Sequence, residues 1–220
     1  MIEGASHVIY ELRIYTTKPG MIGELVKLNS EVAWKLRGNN HGTLVGCWTS
    51  EIGALNQFYH LWSYPSLAER ETLRAGLATL DGWAEQYTSK VRSMMDHQEN
   101  MLLNLDPDIG FRPVEGKGHF YELRVYRGRD GLLPTWVRNI KEVLPEREKY
   151  SKIVGLWTTE IGGLNTAAHL WVYDDLNQRM AARAAALQDP AWQAFLGKGP
   201  PTLQEMSSTI LIPTPISPLQ

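Results

Sequence analysis

The 220-residue chain contains one cysteine, Cys47, so it forms no internal disulfide and has no cysteine-rich zinc site. No stretch approaches the roughly 18 apolar residues that a membrane-spanning helix needs. The first residues lack the basic region and long apolar core of a secretory signal, and the arginine-rich, acid-poor composition of a mitochondrial transit peptide. These absences predict a cytoplasmic protein without a membrane span.

Charge of either sign is not in excess, since 22 basic residues face 24 acidic ones and the net charge is −2. No basic block stands out, and this argues against nucleic acid as a partner. The sequence also lacks a nucleophile elbow, a phosphate loop, a dinucleotide fingerprint and an HExxH motif. Hydrolase, kinase and dehydrogenase chemistry are therefore disfavoured.

What the chain does have is a long internal repeat. Residues 45–64 (VGCWTSEIGALNQFYHLWSY) and 154–173 (VGLWTTEIGGLNTAAHLWVY) are identical at 13 of 20 positions, at a spacing of 109. YELRIY at 10–15 matches YELRVY at 121–126 at a spacing of 111. We also align the apolar MLL at 101–103 with ILI at 210–212. The chain is therefore two related halves.

The stretch between the halves is rich in proline and glycine, which is typical of a linker. We expect a first domain at 8–104, a linker at 105–118 and a second domain at 119–220.

Each half follows the order β-α-β-β-α-β, so the predicted fold class is α+β with two ferredoxin-like halves. The alternation of Tyr10–Tyr15 predicts a strand, and helical spacing predicts a helix at about 20–37, ending at Gly38. The phrase at 45–64 predicts a hairpin. Ser66 with Glu69 is a capping box that opens the next helix, to about 79, before a final strand at about 98–103.

Further capping residues are expected in both halves. Asp81 is expected to cap a short helix that carries Trp83, and Asp189 followed by a proline opens its counterpart. Asp174 or Asp175 opens the preceding helix of the second half. Pro145 is expected to kink its helix or to end it early.

The alternation of each strand sorts its residues onto two sheet faces. We expect the helices to cover the more aliphatic face. The opposite face then holds Glu11, Arg13, Tyr15, Trp48, Asn56, His60, Trp62 and Tyr64, with the same residue types at the corresponding positions of the second half. Such a face is too aromatic to lie bare in water and too polar for a plain core. Two such faces turned toward each other would form one barrel with an enclosed or packed interior.

The pattern YELR-x-Y, G-x-WTTEIG-x-LN and HLW-x-Y, with the tail PTP-x-SPL at Pro213–Leu219, resembles the NIPSNAP family in two tandem copies. The first copy has LDPDIG where the second has this tail, which suggests erosion into the linker. The resemblance implies a dimeric α/β-barrel, here formed within one chain. That superfamily includes cofactor-independent monooxygenases of aromatic polyketides, small-molecule isomerases, and haem-binding or haem-degrading enzymes. Fold analogy alone assigns no activity.

His60 and His169 are the only histidines that pair under the repeat. As functional groups they are candidate general bases, hydrogen-bond donors to a substrate or haem ligands. The alternative is a buried histidine satisfied by a neighbouring Glu or Asn. The candidate catalytic set is His169, His60, Arg124 and Tyr126. We expect no metal site, because no ligands stand at a chelating spacing.

The aromatic and polar residues of the same face are candidate ligand contacts: Arg13, Trp48, Asn56, Trp62, Tyr64, Trp157, Asn165, Trp171 and Tyr173. Packing of the barrel and ion pairing between Arg13 and Glu11 are the alternative roles. Because Phe58 is replaced by Ala167 in the second half, we expect any pocket to lie near His169.

Two functions fit these residues. The first is binding of a small hydrophobic or aromatic molecule, with a cofactor-independent oxygenase or isomerase as its catalytic form. The second is a non-catalytic scaffold or protein-interaction module with a packed barrel. We expect no cofactor, with haem as the minor alternative, and a homo-oligomer formed through the barrel exterior.

Overall fold

The computed structural model of the chain describes residues 8–198 and 201–220. The chain divides into two compact units. The first unit runs to Leu103 and also takes in Pro213–Gln220, and the second unit is Asn104–Ile212. This division assigns the C-terminal tail to the first unit, whereas the repeat alone placed it in the second domain. Among the described residues, no helix is long and apolar enough to cross a membrane.

From residue 8 onward, the first unit contains four strands and four α-helices, in the predicted β-α-β-β-α-β order with the helical segments subdivided. The strands are β1 (Ile9–Thr17), β2 (Thr43–Ile52), β3 (Gln57–Tyr64) and β4 (Met95–Leu105). The helices are α1 (Ile22–Leu28), α2 (Trp34–Arg37), α3 (Leu67–Ala78) and α4 (Ser89–Met94), with π-helical segments at Asn29–Ala33 and Trp83–Thr88.

The second unit repeats this order with longer, simpler helices. Its strands are β5 (Phe120–Gly128), β6 (Lys152–Ile161), β7 (Thr166–Tyr173) and β8 (Leu203–Pro213). Its helices are α5 (Leu133–Arg147), α6 (Leu176–Ala186) and α7 (Pro190–Lys198).

Within each unit the central strand of the repeated phrase pairs antiparallel with two neighbours. β3 pairs with β1 and β2, and β7 pairs with β5 and β6, in matching register. Each unit therefore has an antiparallel sheet in the β-α-β-β-α-β order, and the predicted α+β class with two ferredoxin-like halves is confirmed.

The prediction of which sheet face the helices cover is wrong. In the first unit Tyr15 and Trp62 pack in one apolar cluster with Leu25 of α1. In the second unit Trp171 packs with Trp136 of α5. The histidine- and tryptophan-bearing face therefore lies beneath the helices of its own unit.

Apolar character could not identify the helix face, because both faces of the sheet are buried. On the aliphatic face Leu12 is 3% exposed and Leu61 is 4% exposed. On the other face the carboxylate of Glu11 is bound by Arg70 of α3, so a charged residue is tolerated under a helix.

The alternation predicted that Trp48 and Trp157 share a sheet face with the histidines. This prediction is wrong, because both tryptophans lie on the opposite face. Cys47 stands opposite His60 in the pairing of β2 with β3, and the register shifts between Leu44 and Gly46. A bulge adds one residue to a strand, so it reverses the sheet face of every residue that follows. The repeated Gly-x-Trp spacing has a packing reason, because a Cβ on Gly46 would lie 2.0 Å from the Trp48 ring.

The repeated asparagines of the hairpins are turn residues. Asn56 and Asn165 have φ angles of 57° and 55°, in the left-handed region that asparagine tolerates better than most side chains. The backbone carbonyl of Asn56 also accepts a hydrogen bond from Thr17 N at 2.9 Å. Turn geometry therefore accounts for their recurrence.

Most predicted caps are confirmed. The side chains of Ser66 and Asp175 accept hydrogen bonds from backbone N–H groups of the first turns of α3 and α6, and Asp189 does so for α7. The Asp81 cap is wrong, because the N-cap residue of the π-helical segment is Gly82, with φ 77°, and no side chain caps the segment. The early end at Pro145 is also wrong, because α5 continues to Arg147. A proline this close to the end of a helix removes few backbone hydrogen bonds.

The first helical segment is longer in the first unit than in the second, and a π-bulge accounts for one residue of this difference. Arg37 and Arg147 each stack on the tryptophan of the HLW motif, yet their spacing is 110, whereas Leu25 and Trp136 are 111 apart. The π-helical segment at Asn29–Ala33 lies between these positions, and a π-bulge adds a single residue to a helix.

The last strands align at a spacing of 108 rather than the predicted 109. The burial patterns of β4 and β8 coincide over all 11 residues at this spacing. Asn100 and Ser208 then correspond, and each donates a hydrogen bond to the buried glutamate of its unit, Glu11 or Glu122.

The segment predicted as linker begins with an ordered counterpart of the C-terminal tail. In the first unit Thr214 N donates to the Cys47 carbonyl at 2.9 Å. In the second unit Asp106 N donates to the carbonyl of Leu156, the repeat equivalent of Cys47, at 2.8 Å. LDPDIG therefore retains the docking role of the tail.

Candidate ligand-binding site

A buried carboxylate surrounded by arginines lies under the helices of the second unit. Glu122 of β5 is fully buried. Arg179 of α6 binds it in bidentate fashion, at 3.0 and 2.8 Å, and Arg124 binds it at 2.6 Å. Arg183 lies 3.8 Å away. Burial alone would raise the pKa of Glu122, but these arginines lower it to about 2, so the carboxylate is ionised at neutral pH.

The first unit builds the same cluster from the corresponding residues. Arg70 binds Glu11 at 3.1 and 2.7 Å, Arg13 at 2.8 Å, and Arg74 lies 3.7 Å away. The predicted Glu–Arg contact within one strand is therefore confirmed in each unit. The pKa of Glu11 is also lowered to about 2, against the effect of burial.

A hydrogen bond from the adjacent tryptophan sets the state of each repeated histidine. Trp171 Nε1 donates to His169 Nδ1 at 2.7 Å, and Trp62 Nε1 donates to His60 Nδ1 at 2.8 Å. An indole N–H only donates, so Nδ1 is the unprotonated nitrogen and the proton of the neutral ring is on Nε2. Among the described residues, neither Nε2 atom has a hydrogen-bond partner.

Burial keeps both rings neutral. Desolvation, followed by the charge of Arg124, lowers the pKa of His169 to about 3. Desolvation and the charge of Arg13 lower the pKa of His60 well below its usual value. Each histidine therefore presents a neutral N–H donor, and its only basic nitrogen already accepts from an indole. This geometry favours the donor role over that of a general base.

The second unit holds a cavity of about 520 Å³ between its sheet and helices α5, α6 and α7. Its polar lining includes His169, Arg124, Arg147 and Arg183. Its apolar lining is Trp136, Ile140, Trp171, Ala186, Leu187, Trp192, Phe195, Leu196, Leu203 and Met206. The cavity thus combines aromatic and aliphatic walls with a small cluster of donors, which is typical of small-molecule sites.

The first unit holds a smaller cavity of about 330 Å³ in the corresponding place. It is lined by four arginines and by the polar pair Asn29 and Tyr87, whose hydroxyl donates to Asn29 Oδ1 at 3.2 Å. Ile140 and Leu196 occupy the equivalent positions of the second unit. The first cavity is therefore narrower and more polar.

The structure brings together most of the predicted site residues. His169, Arg124, Tyr126, Trp171 and Tyr173 line the larger cavity, and Arg13, His60 and Trp62 line the smaller one. Five predicted ligand contacts line neither cavity: Trp48, Asn56, Tyr64, Trp157 and Asn165.

The larger cavity lies near His169, as predicted, although the space left by Ala167 is not its cause. Trp136 lies over the His169 ring with a centroid distance of 5.4 Å, whereas Phe58 is 5.3 Å from the His60 ring in the first unit. The large ring beside the histidine therefore comes from strand β3 in the first unit and from helix α5 in the second. Leu25 occupies the position of Trp136 in the first unit.

Sequence reasoning missed the arginines supplied by the helices. Arg70 and Arg179, and likewise Arg74 and Arg183, recur at the spacing of 109, so the repeat itself carried a signal for them. Arg37 and Arg147 recur at 110, a spacing that matches neither aligned block. Only the π-bulge explains that spacing.

A haem ligand does not fit either histidine. An axial imidazole binds iron through a nitrogen lone pair, but Nδ1 accepts the indole hydrogen bond and Nε2 carries the proton. Within the described residues, no group of three or more His, Cys, Asp or Glu side chains is arranged to hold a metal ion.

Two ferredoxin-like units in one chain are the fold of the α/β-barrel proteins, the class that the sequence predicted. Two solved structures share this fold along nearly the whole chain. One is a candidate monooxygenase from Fusobacterium nucleatum (TM-score 0.72, 10% identity, 96% of this chain and 94% of the other). The other is a candidate monooxygenase from Lactobacillus acidophilus (TM-score 0.67, 12% identity, 94% and 93%).

The chain belongs to the NIPSNAP family, whose family model matches residues 10–108 and 121–218. A curated relative, human Protein NipSnap homolog 2, is 34% identical over 221 residues, which cover 96% of this chain and 75% of the relative. The predicted family resemblance is therefore confirmed.

Proposed function

We propose that the second unit binds a small hydrophobic or aromatic molecule in the cavity beneath α5, α6 and α7. The observation that carries the proposal is the cavity itself, with a volume of about 520 Å³ and a wall that is mainly apolar. Tryptophan rings from the sheet and from two helices offer flat surfaces to an aromatic body.

The frame around the cavity supports binding because hydrogen bonds within the protein already hold its side chains in place. The Glu122 cluster ties β5 to α6 through charged hydrogen bonds, and the Trp171 indole fixes the His169 ring. A preformed site loses less conformational entropy on binding than a flexible one.

The catalytic form of the proposal is a cofactor-independent oxygenase or isomerase acting on the bound molecule. Its support is the shared fold with the candidate monooxygenases and with an anthrone oxidase-like protein (TM-score 0.66, 12% identity). In such a reaction His169 donates a hydrogen bond from Nε2 to a substrate oxygen, and Arg124, already bound to Glu122 and Tyr126, positions that tyrosine. Binding is the part that the geometry supports most strongly.

The alternative of a packed scaffold requires that the histidine face be filled. A cavity on this face in each unit favours ligand binding instead.

A cytoplasmic location and a homo-oligomer stay predictions, which cell fractionation and light scattering would check.

The neutral fluorophore N-phenyl-1-naphthylamine tests the proposal without relying on charge. We expect its fluorescence to rise on binding, and we expect Leu196→Trp, at the cavity wall, to weaken binding about tenfold. Leu132→Trp is the matched control, because Leu132 is similarly exposed (37% against 41%) and does not line the cavity. No binding by the wild-type protein, or equal loss in both variants, would contradict the proposal.

A further inference from the structure

The larger cavity contains a buried cation without a carboxylate partner. Arg147, at the end of α5, is 4% exposed, and no carboxylate of the described residues forms an ion pair with it. Its guanidinium lies 4.9 Å from the Trp171 ring centre and 5.2 Å from that of Trp192. Stacking on aromatic rings offsets part of the desolvation cost, but a buried charge is normally paired.

Arg147 also has unused hydrogen-bonding capacity. Its Nη1 has no hydrogen-bond partner among the described residues. Burial lowers the pKa of Arg147, although the Tyr173 hydroxyl acts in the opposite direction. The side chain is therefore held in a place where its charge is not fully compensated.

A second unused donor lines the same cavity. His169 is 3% exposed, its Nε2 carries the ring proton, and this N–H has no partner among the described residues. The charge of Arg147 acts on the His169 ring, and both side chains contact Trp171. A buried donor left without an acceptor is destabilising, so a bound acceptor would stabilise the protein.

Among the described residues that line the cavity, Glu122 is the one carboxylate, and both of its oxygens already accept hydrogen bonds within the protein. Glu122 Oε1 accepts from Arg124, Arg179 and Ser208, and Oε2 accepts from Arg179. Among the lining residues the charged ones are Glu122, Arg124, Arg147 and Arg183, so cations exceed anions by two. The cavity offers donors and positive charge, and it lacks free anionic acceptors.

We infer that the ligand is an organic carboxylic acid, with its apolar body against the aromatic and aliphatic wall and its carboxylate between Arg147 and His169 Nε2–H. The inference rests on the proposed function and adds the chemical class of the ligand. A carboxylate has two oxygens and one negative charge, which matches one guanidinium and one neutral N–H.

The corresponding arginine of the first unit is Arg37, whose Nε, like Nη1 of Arg147, has no hydrogen-bond partner among the described residues. Arg37 stacks on Trp62 at 3.5 Å, and its Nη2 donates to the His41 carbonyl at 2.7 Å. Its cavity is also the smaller one. Arg37 is therefore a matched control for Arg147, with the same residue type, burial and tryptophan contact.

The test compares acids with their neutral amides at pH 7. Naphthalene-2-carboxylate and dodecanoate, and the two corresponding primary amides, compete with N-phenyl-1-naphthylamine. We expect at least one acid to bind about tenfold more tightly than its amide, since its carboxylate gains charge-assisted hydrogen bonds. Arg147→Met abolishes this preference, Arg147→Lys retains part of it, and Arg37→Met leaves it unchanged.

The possible failures are distinguishable. If the fluorophore binds but acids and amides compete equally, or if naphthyl phosphate or dodecyl phosphate binds more tightly than the carboxylate, the inference is overturned and the proposed function stands. If the fluorophore itself does not bind, both fail.

Thermal unfolding without ligand provides a readout that does not depend on binding. Arg147→Met should unfold at the wild-type temperature or above, because it removes an uncompensated buried charge, and marked destabilisation would show that the arginine is structural.

Discussion

The two units keep one frame and differ in what it encloses. Each has a buried glutamate bound by a strand arginine and a helix arginine, and a histidine fixed by the tryptophan two residues later. The cavity linings have diverged, because the hydrogen-bonded pair Asn29 and Tyr87 corresponds to Ile140 and Leu196. The repeated residues therefore include the framework, and the unrepeated ones set the size and polarity of each cavity.

The repeated phrase contains residues that the fold itself needs. Trp48 and Asn56 recur because the strand bulge and the hairpin turn need them, and neither lines a cavity. Trp136, which occurs in one unit only, contacts the His169 ring. Recurrence inside one chain thus marks residues that the fold needs as well as residues that line a cavity.

The largest expected effect comes from removing the buried carboxylate. Glu122→Gln leaves Arg124 and Arg179 without their counter-ion, so we expect unfolding to become easier by about 3–5 kcal/mol in urea denaturation. Glu11→Gln should cost a similar amount if the frame is shared. Glu205→Gln is the control, because this residue is exposed and pairs with Arg127 at the surface, where an ion pair contributes about 0–1 kcal/mol. A cost below that of the control would contradict a common structural role.

A second test exchanges the large ring between helix and strand. Trp136→Leu removes a ring that is 2% exposed, and we expect a cost of about 2–4 kcal/mol. Ala167→Phe alone overfills the same region, at about 1–3 kcal/mol. The double variant recreates the first unit's combination of Leu25 and Phe58, and we expect it to lose less stability than the sum of the single changes. Additive costs would mean that the two positions do not compensate each other.

The fold followed from the sequence, while the site followed only in part. Repeat spacing and strand alternation were enough for the element order and the barrel class. The sheet face could not be inferred, because Leu12 and His60 are both buried and the bulge before Gly46 reverses the alternation. Arg147 was not predicted as a site residue, because a π-bulge in the first unit changes the spacing between Arg37 and Arg147 to 110. Pattern rules assume regular strands and helices, so they fail where one residue is inserted.

A third test uses acid to compare the two histidines. The pKa of His169 is about 3 in the folded protein against an ordinary value of 6.5, so the unfolded chain binds the proton first. Stability is therefore lost as the pH falls below 6.5, by about 2 kcal/mol for His169 at pH 5. Glu11 and Glu122, whose pKa is lowered from 4.5 to about 2, add their loss mainly below pH 4.5.

His169→Gln should flatten the dependence of the unfolding free energy on pH between 6.5 and 5 by this amount. His60→Gln should flatten this dependence in the same direction, because burial lowers the pKa of His60 as well. Urea titrations at several pH values would measure both slopes. An unchanged slope in either variant would show that its histidine is not held neutral.

The smallest expected effect concerns the last hydrogen bond to each glutamate. Ser208 Oγ donates to Glu122 Oε1 at 2.6 Å, and Asn100 Nδ2 donates to Glu11 Oε1 at 3.2 Å. Ser208→Ala leaves the arginines in place, so we expect a loss of only about 1 kcal/mol in urea denaturation. Ser208→Asn supplies the first unit's donor and should recover most of that loss. If it costs more than the alanine variant, the larger amide does not fit and the two frames are not interchangeable at this position. Because the donors correspond only at a spacing of 108, recovery would also support that alignment of β4 with β8 over the spacing of 109.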